Sequence, residues 1–296
     1  MRQIPYFSKA IGIDSIFFLA YLSRAKCYEK SDDNLAIADY LKSFGLDSTN
    51  FFPLYAVASL YLKTDKALSE EMYNTILSLK GDEYNALNQL GIIAFSDDKY
   101  DTAEQLFTQS LVININAYTL NDRGSCFRKL YKLDLAINDY LAAIALNTNL
   151  AFIYSNLASV YAEQGETDKA LSYYDLSISK DANYALAYNN KASVLLGENE
   201  FKKAKIEIDR ALVADAEYAP AFNNKGVINH QMKKYNEAIA AFDEAIRLDV
   251  NYAKAYLNRG ISKQMTRDED GACLDWKKAS ELGIMTAKKY LANDCE

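Results

Sequence analysis

Asn190, Asn224 and Asn258 stand 34 residues apart, and this row is where side chains of this chain could act together. A carboxamide carries two N–H donors and two acceptor lone pairs. A row of them can bond both the N–H and the C=O groups of an extended peptide without reading its sequence. Other chemistry is sparse. His230 is the only histidine, and no Cys, Asp or Glu accompanies it at ligand spacing, whereas general-base work needs a positioned partner. It reads as a surface or wall residue. Cys27, Cys126, Cys273 and Cys295 are far apart and make no CxxC pair. They read as buried or incidental thiols, with neither a metal site nor a disulfide framework expected. No phosphate-binding Gly-rich loop, GxSxG or HExxH occurs. No catalytic residue, metal or cofactor is therefore expected. Arg128, Lys129 and Lys132 form a basic turn, read as solvated with an acidic-peptide contact as the alternative. Lys202, Lys203 and Lys205 read as an exposed turn and face.

The elements that position the asparagines repeat with them. Tyr188, Phe222 and Tyr256 share the 34-residue spacing, as do Ala204, Ala238 and Ala272, and Ala211, Ala245 and Ala279. Such regularity means one supersecondary unit stacked on copies of itself. Eight units are expected, over 17–50, 51–83, 84–116, 117–150, 151–184, 185–218, 219–252 and 253–286. An aperiodic leader (1–16) precedes them, and a capping helix with a tail (287–296) follows. Each unit reads as two amphipathic helices joined by a tight polar turn. In the seventh, Pro220 suits the first turn of helix A. Helix B carries Ala238, Phe242, Ala245 and Ile246 on one face, and Asp249 and Asn251 break it. Rings or large side chains at Leu87, Leu120, Tyr154, Tyr188, Phe222 and Tyr256, and at Phe107, Tyr140, Tyr174, Phe242 and Trp276, are expected to fill the space between units. Small residues at Gly91, Gly124, Ala158, Ala192, Gly226 and Gly260 are expected to face the alanines of helix B. Glycine costs about 1 kcal/mol in a helix, so its recurrence implies close approach of the two backbones. Helices this short are marginal alone and must bury their apolar faces on neighbours.

The totals agree. Half of the 296 residues are apolar and only 3 are proline, which favours uninterrupted helices. Acidic residues (40) exceed basic ones (33), for a net charge of −7. That balance opposes general binding of nucleic acid or anionic membrane. The apolar run from Ile16 to Tyr21 is too short for a signal h-region or a span, so neither membrane insertion nor secretion is expected. A cytoplasmic location is expected, with a removed signal peptide left open.

The series of aromatic, Gly/Ala, Ala, aromatic and Ala positions resembles the tetratricopeptide repeat (TPR) family, from about Phe17 and most strongly from Ala117 to Gly283. The stretch from Gly271 to Gly283 looks like the closing repeat of many bacterial TPR arrays. The resemblance implies an all-α, right-handed superhelical solenoid of antiparallel helix pairs with a C-terminal capping helix. Two departures stand out. Thr148, Ala182, Ala216 and Val250 replace the proline usual at the end of helix B. In the first units, Arg24 holds the small-residue place unless the register shifts to Ala25, and Ser69 replaces the central alanine.

In that family helix A lines the concave wall. By resemblance the wall here includes Asn88, Gln89, Asn121, Asp122, Ser155, Asn156, Asn189, Asn190, Asn223, Asn224 and Asn258, with Ser125, Ser159 and Ser193 a turn later. The wall is thus expected to be polar and nearly uncharged. Asn156, Asn190, Asn224 and Asn258 resemble the asparagine ladder of O-GlcNAc transferase, which grips peptide backbone. The alternative is that these asparagines satisfy local helix surface. The carboxylate clamp of chaperone-binding TPRs is incomplete: Asn224 and Lys254 fit, but Asn189, Ser193 and Asn258 stand where Lys, Asn and Arg are expected. The implied function is a non-enzymatic scaffold binding a peptide or partner protein in this groove through Asn121, Asn156, Asn189, Asn190, Asn223, Asn224, Lys254 and Asn258, with apolar contacts from Phe152, Leu186 and Ile261. The alternative is self-assembly through Phe17, Phe18, Phe51 and Phe52 of the first units. Partner identity and oligomeric state are left open.

Overall fold

The structure, a computed structural model, describes residues 3–295; residues 1, 2 and 296, at the ends of the expected leader and tail, lie outside it. The described residues form eighteen α-helices and no strand. They divide into two compact units, Met1–Leu135 and Ala136–Glu296.

The first unit holds α1 (Ile4–Ile13), α2 (Phe18–Tyr28), α3 (Asp33–Leu46), α4 (Phe52–Tyr61), α5 (Lys66–Leu79), α6 (Tyr84–Ser96), α7 (Tyr100–Ile113) and α8 (Ala117–Lys129). Helices adjacent in sequence pack on one another throughout. Residues 4–13, read in the sequence as part of an aperiodic leader, form α1 against α2, with a proline in its first turn. Ala25 takes the small-residue place and is fully buried. The neighbouring Arg24 instead pairs with Asp39 at 2.7 Å and reaches Ser8 of α1 at 3.1 Å. Phe51 rests on Phe44, and Phe52 meets the edge of Tyr40 beneath the Lys26 ammonium, so two of the four phenylalanines offered for self-assembly are engaged within the unit.

The second unit holds α9 (Leu133–Leu146), which starts at the unit boundary, then α10 (Ala151–Glu163), α11 (Thr167–Lys180), α12 (Ala185–Gly197), α13 (Phe201–Ala214), α14 (Ala219–Gln231), α15 (Tyr235–Leu248), α16 (Ala253–Met265), α17 (Glu269–Glu281) and α18 (Met285–Asp294). Besides the sequential pairs, α10 touches α12, α12 touches α14 and α14 touches α16. The first helices of successive pairs therefore share one face.

Local chemistry explains both kinds of connection. Between the two helices of a pair, one residue adopts a left-handed backbone: Asp98, Tyr131, Gly165, Asn199, Lys233 and Arg267. The next N–H turns back to the helix, as in Glu166 to Tyr161 and Lys234 to Asn229, both at 2.9 Å. This closes the orphan carbonyls of the helix end. Between pairs, the Asp181, Asp215 and Asp249 carboxylates accept from the N–H groups of Asn183, Glu217 and Asn251 at 2.9–3.0 Å. These side-chain turns stop helix B without the family's proline.

Packing follows the expected rings of helix B, with one correction on helix A, where Tyr188, Phe222 and Tyr256 are only half-buried. Tyr40, Phe107, Tyr140, Tyr174, Phe242 and Trp276 are buried. The atoms nearest a Cβ on Gly91, Gly226 or Gly260 belong to these rings. A Cβ on Gly226 would lie 2.5 Å from the Phe242 ring, and one on Gly91 would lie 2.6 Å from that of Phe107. At Gly260 helix B backbone also approaches, with Ala272 O at 3.1 Å from such a Cβ.

The C-terminal end holds a second correction. Gly283, with φ +94°, ends α17 and lets the chain fold α18 back over it. Cys273 of α17 and Cys295, just past α18, then come within 5.8 Å at Cα and form a disulfide. Their 22-residue separation hides this pairing from any short cysteine motif. Cys27 and Cys126 remain free thiols, and Cys126 is buried.

Candidate peptide-binding face

The face on which α10, α12, α14 and α16 meet carries the asparagines, because a 34-residue period returns each to the same place on its helix. Each doublet divides into a buried and an outer residue. Asn189 and Asn223 are 6% and 5% exposed, while Asn190, Asn224, Asn258 and Asn156 are half-buried. The buried member donates to the outer one, Asn189 to Asn190 at 3.3 Å and Asn223 to Asn224 at 3.4 Å. The outer member reaches back across the helix interface. Asn224 Nδ2 donates to Asn189 Oδ1 at 2.9 Å and to Ser193 Oγ at 3.0 Å, and Asn258 Nδ2 donates to Asn223 Oδ1 at 3.0 Å. A continuous relay thus runs from Asn258 through Asn223, Asn224 and Asn189 to Asn190, across three helices. Among the described residues no partner meets Asn190 Nδ2 or Asn258 Oδ1, so both ends of the relay keep open valences.

Lys254 is not drawn into the relay; it stands exposed one turn before Asn258. In the first unit, Asn121 on α8 is buried and donates to the Asp122 carboxylate at 3.2 Å. Burial pushes the Asp122 carboxyl above the usual carboxylate range, against the pull of that hydrogen bond. Phe152, Leu186 and Ile261 are half-buried on α10, α12 and α16.

Beside the row runs a set of ion pairs that the sequence reading missed. Lys191 on α12 bridges Asp175 of α11 (2.6 Å) and Glu207 of α13 (3.1 Å). Arg259 on α16 bridges Asp243 of α15 and Asp275 of α17, and Lys263 adds a 3.0 Å contact to Asp275. Lys225 lies 3.9 Å from Asp209. The signal was present: Lys191, Lys225 and Arg259 keep the 34-residue period, as do Asp175, Asp209 and Asp243. Lys191 and Arg259 tie their helices to both flanking ones, Lys225 leans on the preceding helix, and the amide row itself stays uncharged.

His230 is committed to structure. Its Nδ1 lies 2.9 Å from Ser262 Oγ, whose proton goes to Asn258 O at 3.0 Å, so Nδ1 carries the hydrogen. The ring meets the edge of Tyr235, and burial holds its pKa below the ordinary value. Among the described residues no group of three or more His, Cys, Asp or Glu could hold a metal ion, and no helix is long and apolar enough to cross a membrane.

Comparison with known proteins bears on the fold. The tetratricopeptide repeat family matches at residues 219–252 and again at 153–183. No curated protein matches the sequence. Among solved structures, the APC/C hetero-tetramer Cut9–Hcn1 covers 100% of this chain at TM-score 0.69 and 16% identity, and the chain spans 59% of that one. A tetratricopeptide repeat protein from Parabacteroides merdae matches 82% of this chain and 97% of its own at TM-score 0.67 and 18% identity. MamA matches 56% of this chain and 96% of its own at 24% identity and TM-score 0.47. The chain therefore contains tetratricopeptide repeats, at 153–183 and 219–252, within a fold of paired helices shared with solved repeat structures.

Proposed function

We propose that this protein is a non-enzymatic interaction scaffold that binds an extended peptide segment of a partner protein along the carboxamide face of α12, α14 and α16. The observation that carries the reading is the relay itself. Five carboxamides are held in fixed orientation by one another, and the relay ends in an unused donor at Asn190 and an unused acceptor at Asn258. An extended backbone offers one N–H and one C=O per residue, which is the complement of those two valences. Fixing the side chains beforehand removes part of the ordering cost of binding. Phe152, Leu186 and Ile261 add apolar contact, and Asn156 on α10 extends the same face.

A displayed library of random peptides, selected on the wild-type protein, supplies the probe. Enriched peptides are then titrated against wild type and against Asn190→Ala/Asn258→Ala. Two or three lost hydrogen bonds at about 1 kcal/mol each weaken binding roughly 30- to 150-fold; the same changes remove the partners of the buried Asn189 and Asn223, so melting falls modestly while helicity is kept. Equal affinity for both proteins would refute the reading.

A further inference from the structure

We infer that Cys273 and Cys295 form a thiol-exchange latch that holds α18 over the end of the helix stack. The helix is ten residues long and Ala287 is its only fully buried residue. A helix of that length is marginal by itself, so its docking depends on what pins it. Ile284, Tyr290 and Leu291 supply partial packing against the cluster of Ala272, Trp276 and Ala279. The disulfide supplies the rest. It joins the second turn of α17 to the residue just after α18, and so clamps the far end of the helix.

The latch is accessible. Both cysteines are half-buried and line an open surface depression of about 780 Å³, with Leu274, Lys277, Leu291 and Asn293 around them. A small dithiol can therefore reach the bond. Its thiolate attacks one Sγ, a mixed disulfide forms, and the other cysteine leaves as a thiolate. The reductant's second thiolate then displaces the first cysteine. The reductant leaves as its own disulfide, and the two protons it gave up end on Cys273 and Cys295. In reducing surroundings the dithiol form is maintained, and in oxidising ones the latch stays shut.

Opening has a defined consequence. Trp276 is the only tryptophan in the chain, is 1% exposed, and is stacked on Tyr290 of α18 with centroids 4.8 Å apart. Release of α18 uncovers this ring and the alanines beside it, the apolar face that the α12/α13 and α14/α15 pairs bury on their neighbours.

The full chain tests this. Peptide mass spectrometry of the oxidised protein should find Cys273 joined to Cys295. Addition of dithiothreitol should make both cysteines alkylatable without denaturant. Collisional quenching of Trp276 fluorescence by acrylamide should rise about threefold, as expected for local opening of a terminal element, while far-UV circular dichroism changes little. Cys273→Ser/Cys295→Ser should show the high quenching whether or not dithiothreitol is present. Tyr290→Ala, which removes the stack but keeps the bond, should give intermediate quenching that still rises on reduction. Absence of the linked peptide, or identical quenching in the oxidised, reduced and double-serine proteins, overturns the latch.

Discussion

Glycine to alanine inside a helix ordinarily stabilises, and at Gly226 the sign should reverse. Removing backbone freedom is worth about 1 kcal/mol in the helix's favour. Against this, a Cβ at Gly226 would stand 2.5, 2.6 and 2.7 Å from three atoms of the Phe242 ring. Ordinary contact needs roughly 3.5–4.0 Å, so the ring must retreat by about 1 Å. Phe242 is fully buried and has no open space to move into. Overpacking of this kind costs about 1–3 kcal/mol. The cost stays within that range because the same register holds Ala158 opposite Tyr174 and Ala192 opposite Ile208, so the stack can accommodate a methyl when the partner side chain is placed for it. The net expectation is a loss of about 1–2 kcal/mol. Gly45 in α3 is the control, since nothing lies within 4 Å of the position its Cβ would take, and Gly45→Ala should gain up to about 1 kcal/mol. Urea denaturation followed by circular dichroism reads both, and hydrogen exchange of the α14 and α15 amides shows whether the loss is local. A Gly226→Ala protein as stable as wild type, or more so, would show that the ring does not hold its place against the glycine.

Two further outcomes follow from buried polar groups. Ser69 is fully buried, its hydroxyl has no hydrogen-bond partner, and Ala103, Ala170, Ala204, Ala238 and Ala272 hold the same register in later pairs. Ser69→Ala should therefore stabilise by about 1 kcal/mol in thermal or chemical denaturation, because an unsatisfied polar group is removed without loss of a bond. Asp122 is titrated by pH: its folded-state pKa is raised above the unfolded value of 3.8 by burial. The native state thus holds the proton more tightly, and stability is lost as pH rises from the unfolded value through the folded one. Asp122→Asn should be the more stable protein at neutral pH and should lose that advantage below about pH 4, with both measured by urea midpoints across pH. A gain that persists unchanged in acid would mean that charge is not the cause.

The all-α class was legible in the sequence because the 34-residue period survives in residues that do different jobs: rings that fill, alanines that admit close approach, and carboxamides on the shared face. What was hidden arose where the chain folds back on itself or satisfies itself. The helix over 4–13 buries no residue fully, and its short stripe of Ile4, Phe7 and Ile11 lies outside the repeat pattern and went unread. The disulfide depends on α18 reversing direction at Gly283, which no cysteine spacing records. The glycines were read as sites of backbone contact; that contact is seen at Gly260, and the nearest neighbour is a ring four residues along helix B from the expected alanine, as Phe107 past Ala103 and Phe242 past Ala238. The ion pairs were periodic but unread, because a charged residue on a helix is usually solvated, and only the fold shows Glu207 and Asp275 to be 6% and 3% exposed.

The carboxamide row was read as either a binding surface or a satisfied helix surface, and its internal hydrogen bonds are compatible with both. A carboxamide has more hydrogen-bonding capacity than one neighbour can use. Asn189 and Asn223, buried between successive first helices, spend theirs on fixing the register of α12 against α14 and of α14 against α16. Asn224 and Asn258 donate inward and are held rigid by doing so. A side chain tethered at one end and half-exposed at the other loses little rotamer freedom when a further partner arrives. In the proposed function, internal satisfaction prepares the outer amides for the peptide, and the ion pairs at Lys191 and Arg259 keep net charge from competing with them. A neutral, preorganised row favours main-chain hydrogen bonds over charged side chains, which is the physical ground for expecting an extended peptide and not a charged motif on this face.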